Sequence, residues 1–135
     1  MNKNELGHFI LRAILGFIFF IHGLSKFQGG ISNTAGFFDS IGIPGFMAYV
    51  VAVIELAGGI ALILGIGTKI VSVLFAIIML GAIFTAKLPL GLLGNGQMAG
   101  YELDLILLAA SIYFVLAKET PLSLDNKLTQ GRNLT

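Results

Sequence analysis

Ionisable side chains interrupt stretches that are otherwise almost wholly apolar: Arg12, His22 and Lys26 in the first, Glu55 in the second, and Glu102 with Asp104 at the start of the last. An imidazole or a carboxylate can accept and return a proton, and a lysine or arginine can hold an anionic or carbonyl oxygen, so together these types suit proton-coupled chemistry on a small oxygenated molecule. Placed in hydrocarbon, each costs at least about 2.5 kcal/mol at the centre of a spanning helix and so calls for a partner or a function. Arg12, Gly16, Phe19, His22, Gly23 and Lys26 are separated by threes and fours, which sets them on one stripe of a helix whose remainder is apolar. Arg12 and Lys26 near the ends of that helix can also snorkel to the two interfaces, and His22 can serve as a hydrogen-bonded structural residue.

Glu55 is the most telling of these positions. It lies nine residues into its apolar stretch, about 14 Å deep by helical rise and near the midplane of a bilayer, beyond reach of either interface. Ala48, Ala52, Gly58 and Gly59 share its face, so the helix can approach a neighbour closely with the carboxylate pointing between helices. Two readings stay open: an ion pair with Arg12 or His22 that fixes helix registry, or a proton or ligand acceptor in a cavity. In Tyr101-Glu102-Leu103-Asp104 the two acids fall about 200° apart on a helix, so only one can face the interior. The shared face with Ala109 and Tyr113 favours Glu102 as that one.

The elements needed to position these groups follow from composition. With 56% hydrophobic residues, 11% charged residues, a net charge of +1 and a mean hydropathy of +0.94, the 135-residue chain lacks the charge to cover a water-facing surface. Lipid is the expected partner, and nucleic acid is not. The absence of cysteine excludes thiolate ligands, disulfides and iron–sulfur clusters. His8 and His22 lie on one helix about 21 Å apart, so one chain cannot supply two facing axial ligands to a haem. No metal-site, nucleotide or nucleophile motif is present, and Gly94-Asn95-Gly96 lacks the strand and helix of a phosphate loop.

Four stretches are long enough to be spans: about Gly7 to Phe27, Phe46 to Leu64, Thr68 to Ala86 and Gly100 to Ala117. Gly65-Ile66-Gly67 forces an antiparallel hairpin between the second and third. The loop from Gln28 to Gly45 carries a short amphipathic helix, about Asn33 to Ile41, with Phe37, Phe38 and Ile41 on one face and Pro44 as its stop. The loop from Lys87 to Ala99 is irregular and greasy. Both long loops are expected to cover the mouth of the bundle. The fold class is therefore all-α, an integral membrane four-helix bundle with a short interfacial helix in the first outer loop. Residues 1–118 form the membrane domain and 119–135 a mobile, solvated cytoplasmic tail. Lys3, Arg12, Lys69, Lys118, Lys127 and Arg132 on one side, against Lys26 and Lys87 on the other, predict cytoplasmic N- and C-termini.

These residues also carry a family resemblance. Ile10-Leu11-Arg12, Leu15-Gly16, Phe19-Phe20, His22-Gly23 and Lys26-Phe27, then Gly36-Phe37-Phe38 and Ile41-Gly42-Ile43-Pro44, resemble the DoxX family of small four-span bacterial membrane proteins. Glu55-Leu56-Ala57-Gly58-Gly59, Leu64-Gly65, Gly94-Asn95-Gly96 and Tyr101-Glu102-Leu103 extend the resemblance over about Phe9 to Ala117, and it is strongest to the CatD-type members named as oxidoreductases. The resemblance implies a protein of the bacterial plasma membrane, tied to membrane redox complexes, with recurrent polar positions at Arg12, His22, Lys26, Glu55 and Glu102.

The expected function is that of a membrane subunit in a redox pathway, binding a quinone or similar small aromatic between helices and acting with a soluble partner enzyme. Glu55 and His22 are the candidate catalytic groups, and Arg12, Lys26, Glu102 and Tyr101 the candidate substrate-binding ones. A small proton-coupled transporter, completed by homodimerisation, and a scaffold without chemistry that recruits a redox enzyme are the alternatives.

Overall fold

A computed structural model describes residues 2–118 and 120–132, so the predicted tail at 119–135 lies outside the described residues at 119 and 133–135. The described residues form six α-helices: α1 (Lys3–Gln28), α2 (Ile31–Ser40), α3 (Phe46–Leu64), α4 (Thr68–Ala82), α5 (Glu102–Leu116) and α6 (Leu124–Arg132). A capping box opens α1, where Asn2 Oδ1 accepts from the Glu5 amide and the Glu5 side chain accepts from the Asn2 amide. The α3–α4 turn is the predicted hairpin, with Gly65 at φ +74° and Gly67 at φ +58°, a left-handed conformation that favours glycine.

Three described helical stretches are long and apolar enough to cross a membrane: Lys3–Gln28, Phe46–Leu64 and Thr68–Leu90. The fourth predicted span is the 15-residue α5, about 22 Å long and short of the roughly 30 Å hydrocarbon thickness. Its first turn is met by the preceding loop, where the Tyr101 and Glu102 amides donate to the Gly91 and Leu92 carbonyls. Amides at a helix start would otherwise be orphaned. Gly94-Asn95-Gly96 is an Asn-centred turn, with Asn95 Oδ1 accepting from the Gln97 and Met98 amides.

Small residues set the spacing between helices. A side chain at Gly59 would lie 2.5 Å from the Gly16 carbonyl oxygen, and one at Gly23 would lie 2.6 Å from the Leu56 amide, so α1 and α3 meet backbone to backbone. Gly58, on the adjacent face of α3, receives the Phe75 ring from α4. Phe75 stacks on Phe19 with ring centroids 3.7 Å apart, at the centre of a core that includes Leu15, Leu62, Leu107 and Phe114. Outside, the pattern inverts: Ile70 is 72% and Phe84 67% exposed while Arg12 is 0% exposed, the distribution expected when lipid is the solvent.

The tail differs from the expectation of a free, solvated segment. Its first described residues are held against the bundle because Arg12, fully buried, needs acceptors and finds backbone carbonyls. Its Nε donates to Leu62 O at 3.1 Å, and its two terminal nitrogens donate to Pro121 O and Leu122 O at 2.8 Å each. Asp125 then caps α4, accepting from the Gly67 and Thr68 amides at 3.0 and 3.2 Å.

Candidate functional site

The close packing of Gly23 on Leu56 fixes the register of α1 on α3. Lys26, one turn beyond Gly23, thereby reaches Glu55, and its Nζ donates to Oε1 at 3.1 Å and to Oε2 at 2.9 Å. The expected partner of Glu55 was Arg12 or His22; the structure gives Lys26. Arg12 is committed to the tail carbonyls, about 21 Å down the same helix from Lys26.

After α4 the helix widens into a π-helical stretch, Ile83–Lys87, a wider turn than the α-helix and one often found at functional sites. Its Thr85, Ala86 and Lys87 line the same cavity as Glu55. Lys87 Nζ lies 3.2 Å from Asp104 Oδ2 on α5. Asp104, not Glu102, is the acid that faces the bundle: it is 7% exposed, whereas Glu102 is exposed. The packing stripe of α5 runs through Asp104, Leu107, Leu108, Ser111 and Phe114, while Ala109 and Tyr113, taken from sequence as the packing face, point outward. Tyr101 is half-buried against the hydrophobic core rather than at the cavity.

These groups line a cavity of about 410 Å3 between α1, α2, α3, the end of α4 and the start of α5. Its apolar wall is built mainly from Phe37 and Phe38 of α2, Ile41 just past its end, Met47 and Val51 of α3, and Ile78 of α4. As expected, α2 lies over the cavity; of the second loop only Lys87, at its very start, lines it. Its polar groups are His22 and the two ion pairs, with Thr34 and Thr85. Of the six residues singled out from sequence, His22, Lys26 and Glu55 come together here, and Arg12, Tyr101 and Glu102 lie elsewhere. Lys87 and Asp104 were missed as a pair. The spacing of Asp104 to Leu107, Leu108 and Ser111 was the available signal.

The DoxX family model matches residues 7–88, which cover α1 through the π-helical turn and hence most of this cavity. The chain belongs to the DoxX family. It is 49% identical over 133 residues to "Putative oxidoreductase CatD" of Bacillus subtilis, an alignment covering 98% of this chain and 95% of that protein. It is 32% identical to an uncharacterized membrane protein of Mycobacterium tuberculosis over 89% of this chain and 80% of that protein. It is also 33% identical to an uncharacterized protein of Haemophilus influenzae, over 87% of each. No solved structure matches the chain significantly. The chain is thus a DoxX-family membrane protein, and the cavity is its candidate site.

Proposed function

We propose that this DoxX protein is the membrane subunit of a redox pathway and holds a quinone or similar small aromatic in the cavity. The observation that carries the reading is the cavity itself: about 410 Å3, walled by aromatic and aliphatic side chains, with its charged groups gathered into two ion pairs. That volume falls within the roughly 300 to 1,000 Å3 of small-molecule sites, and a few convergent polar groups in an apolar slot are what orient such ligands. A quinone supplies reversible two-electron, two-proton chemistry when bound. The residues of this chain would hold its oxygens through Lys26 and Lys87 and exchange protons through His22 and Glu55. The name of the Bacillus subtilis relative supports an oxidoreductase pathway. With no cysteine in the chain, a soluble partner enzyme would supply or remove electrons.

Decyl-quinone titrated into the purified protein in lipid nanodiscs is expected to bind saturably. Ala82→Phe, which adds a ring to the cavity wall, should weaken that binding by about 10-fold or more without unfolding the protein. Absence of saturable binding, or binding indifferent to Ala82→Phe, would refute the reading.

In the same reading the protein lies in the plasma membrane, with both termini in the cytoplasm and the cavity near the outer side, as the distribution of lysine and arginine favours. Ser32→Cys and Asn95→Cys should then react with an impermeant thiol reagent applied to intact cells, and Thr129→Cys should not. The reverse pattern would invert the topology.

A further inference from the structure

The end of the bundle opposite the cavity carries a helix that no other described helix covers. Arg12, near the start of α1, bonds to Leu62 O near the end of α3 and to Pro121 O just beyond α5, so the α3–α4 turn, the start of α1 and the end of α5 gather there. α6 is tied to that turn by its first residues: the Asp125 amide donates to Gly65 O at 3.0 Å, and the Asp125 carboxylate caps α4. From Asn126 to Gly131 every residue is exposed, so the rest of α6 runs clear of the described bundle.

Such a helix needs a surface to lie on. Its 9 residues fall short of the roughly 12 to 15 at which isolated helices become even marginal in water, and Thr129 and Gly131 are poor helix formers. Leu124 and Leu128, four residues apart, share one face, and both are exposed, as is Leu122 just before the helix. Asn126, Thr129 and Gln130 occupy the other face. Because α6 starts at the turn joining two spanning helices, the surface within reach is the adjoining membrane leaflet.

Charge selects the kind of leaflet. Lys3 at the start of α1, Lys69 in the first turn of α4, Lys118 just beyond α5 and Lys127 on α6 are all exposed at this end, and none is ion-paired among the described residues. The two acids described there, Glu5 and Asp125, are each turned onto backbone amides, at the starts of α1 and α4. Leucines on one face of a short helix with lysines around them match an anionic lipid surface, where the apolar face enters the acyl boundary and the ammonium groups stay among the phosphates. We infer that α6 is an interfacial anchor that binds anionic phospholipid, with Leu124 and Leu128 inserted and Lys69 and Lys127 on the headgroups. None of these residues lines the cavity, so the anchor does not depend on what the cavity holds.

Hydrogen exchange read by mass spectrometry on the full chain, one copy per nanodisc, tests the anchor. One set of discs is made of phosphatidylcholine and the other of an equal mixture with phosphatidylglycerol. The amides of residues 128–131 are expected to exchange about 10-fold or more slowly in the anionic discs, while those of α3 exchange alike in both. Lys69→Gln combined with Lys127→Gln should bring the two discs to within about 3-fold of each other. Leu124→Ser combined with Leu128→Ser should leave residues 128–131 exchanging as an unprotected peptide in both. Fast exchange of the wild-type segment in both discs overturns the proposal, and so does equal protection in both. Slowing shared by α3 overturns it too, because the lipid then stabilises the whole protein. Protection that appears only with two copies per disc assigns the leucine face to a second copy and overturns the lipid anchor.

Discussion

Arg12→Met is expected to destabilise the protein by about 3 to 5 kcal/mol and to release the segment that follows α5. The guanidinium is completely buried, and its three hydrogen bonds run to Leu62 O in α3 and to Pro121 O and Leu122 O. Hydrogen bonds to a charged donor are each worth about 1.5 to 3 kcal/mol and do not add fully, and removing the donor strands acceptors in a buried place. Methionine keeps much of the apolar stem, so the loss reports the hydrogen bonds rather than packing. Gly65 shows how tightly the segment is seated: a Cβ there would collide with Ser123. Thermal unfolding in detergent and the rate of trypsin cleavage after Lys118 check the prediction together. Unchanged unfolding with unchanged cleavage would sink it. Arg12→Lys should rescue only in part, since one ammonium cannot span three carbonyls as the planar fork does. Ligand binding in the cavity should survive Arg12→Met in whatever fraction remains folded, because Arg12 does not line the cavity.

The second large effect is an asymmetry within one ion pair. Lys26→Met should cost about 3 to 5 kcal/mol, whereas Glu55→Gln should cost only about 1 kcal/mol. The Glu55 side chain is 3% exposed and that of Lys26 is 22% exposed. Removing the lysine leaves a buried carboxylate that cannot reach the interface and must stay unpaired or take up a proton, while removing the charge on Glu55 leaves a lysine near the end of α1 that can snorkel to the interface. Lys26→Met combined with Glu55→Gln should then recover much of the loss from the single lysine change. Chemical denaturation of the two single variants, the double variant and the wild type supplies the coupling. Equal costs for the two single changes, or strict additivity in the double, would show that the carboxylate is otherwise compensated.

The membrane class, the existence of the first three helices with the bounds of α3, and the glycine hairpin were legible in the sequence, whereas α1 begins four residues and α2 two residues earlier than expected. Each is a local property: apolar run length, helix-terminating glycines and the spacing of small residues all act within one or two turns. The stripe of α1 and the shared face of Glu55 were legible for the same reason, and they brought His22, Lys26 and Glu55 correctly toward one interior. Which cation meets Glu55 was not, because depth along a helix places Arg12 and His22 nearer the midplane, while contact depends on the rotation and register set by Gly16, Gly23 and Gly59 against the neighbouring backbone.

For Glu102 and Asp104, sequence narrowed the inward acid to two positions about 200° apart. Tertiary packing chose Asp104, since Leu107, Leu108, Ser111 and Phe114 outweigh the face carrying Ala109 and Tyr113. The π-helical turn that brings Lys87 to Asp104 left no mark in the apolar pattern of Thr68–Leu90, because residue type there does not distinguish an α turn from the wider one. The docking of Pro121 and Leu122 on Arg12 was likewise hidden, since backbone carbonyls are available in every residue and carry no sequence signal. Sequence determined that buried charges must be compensated. Only the tertiary structure decided by what, because compensation is a matter of distance between groups far apart along the chain.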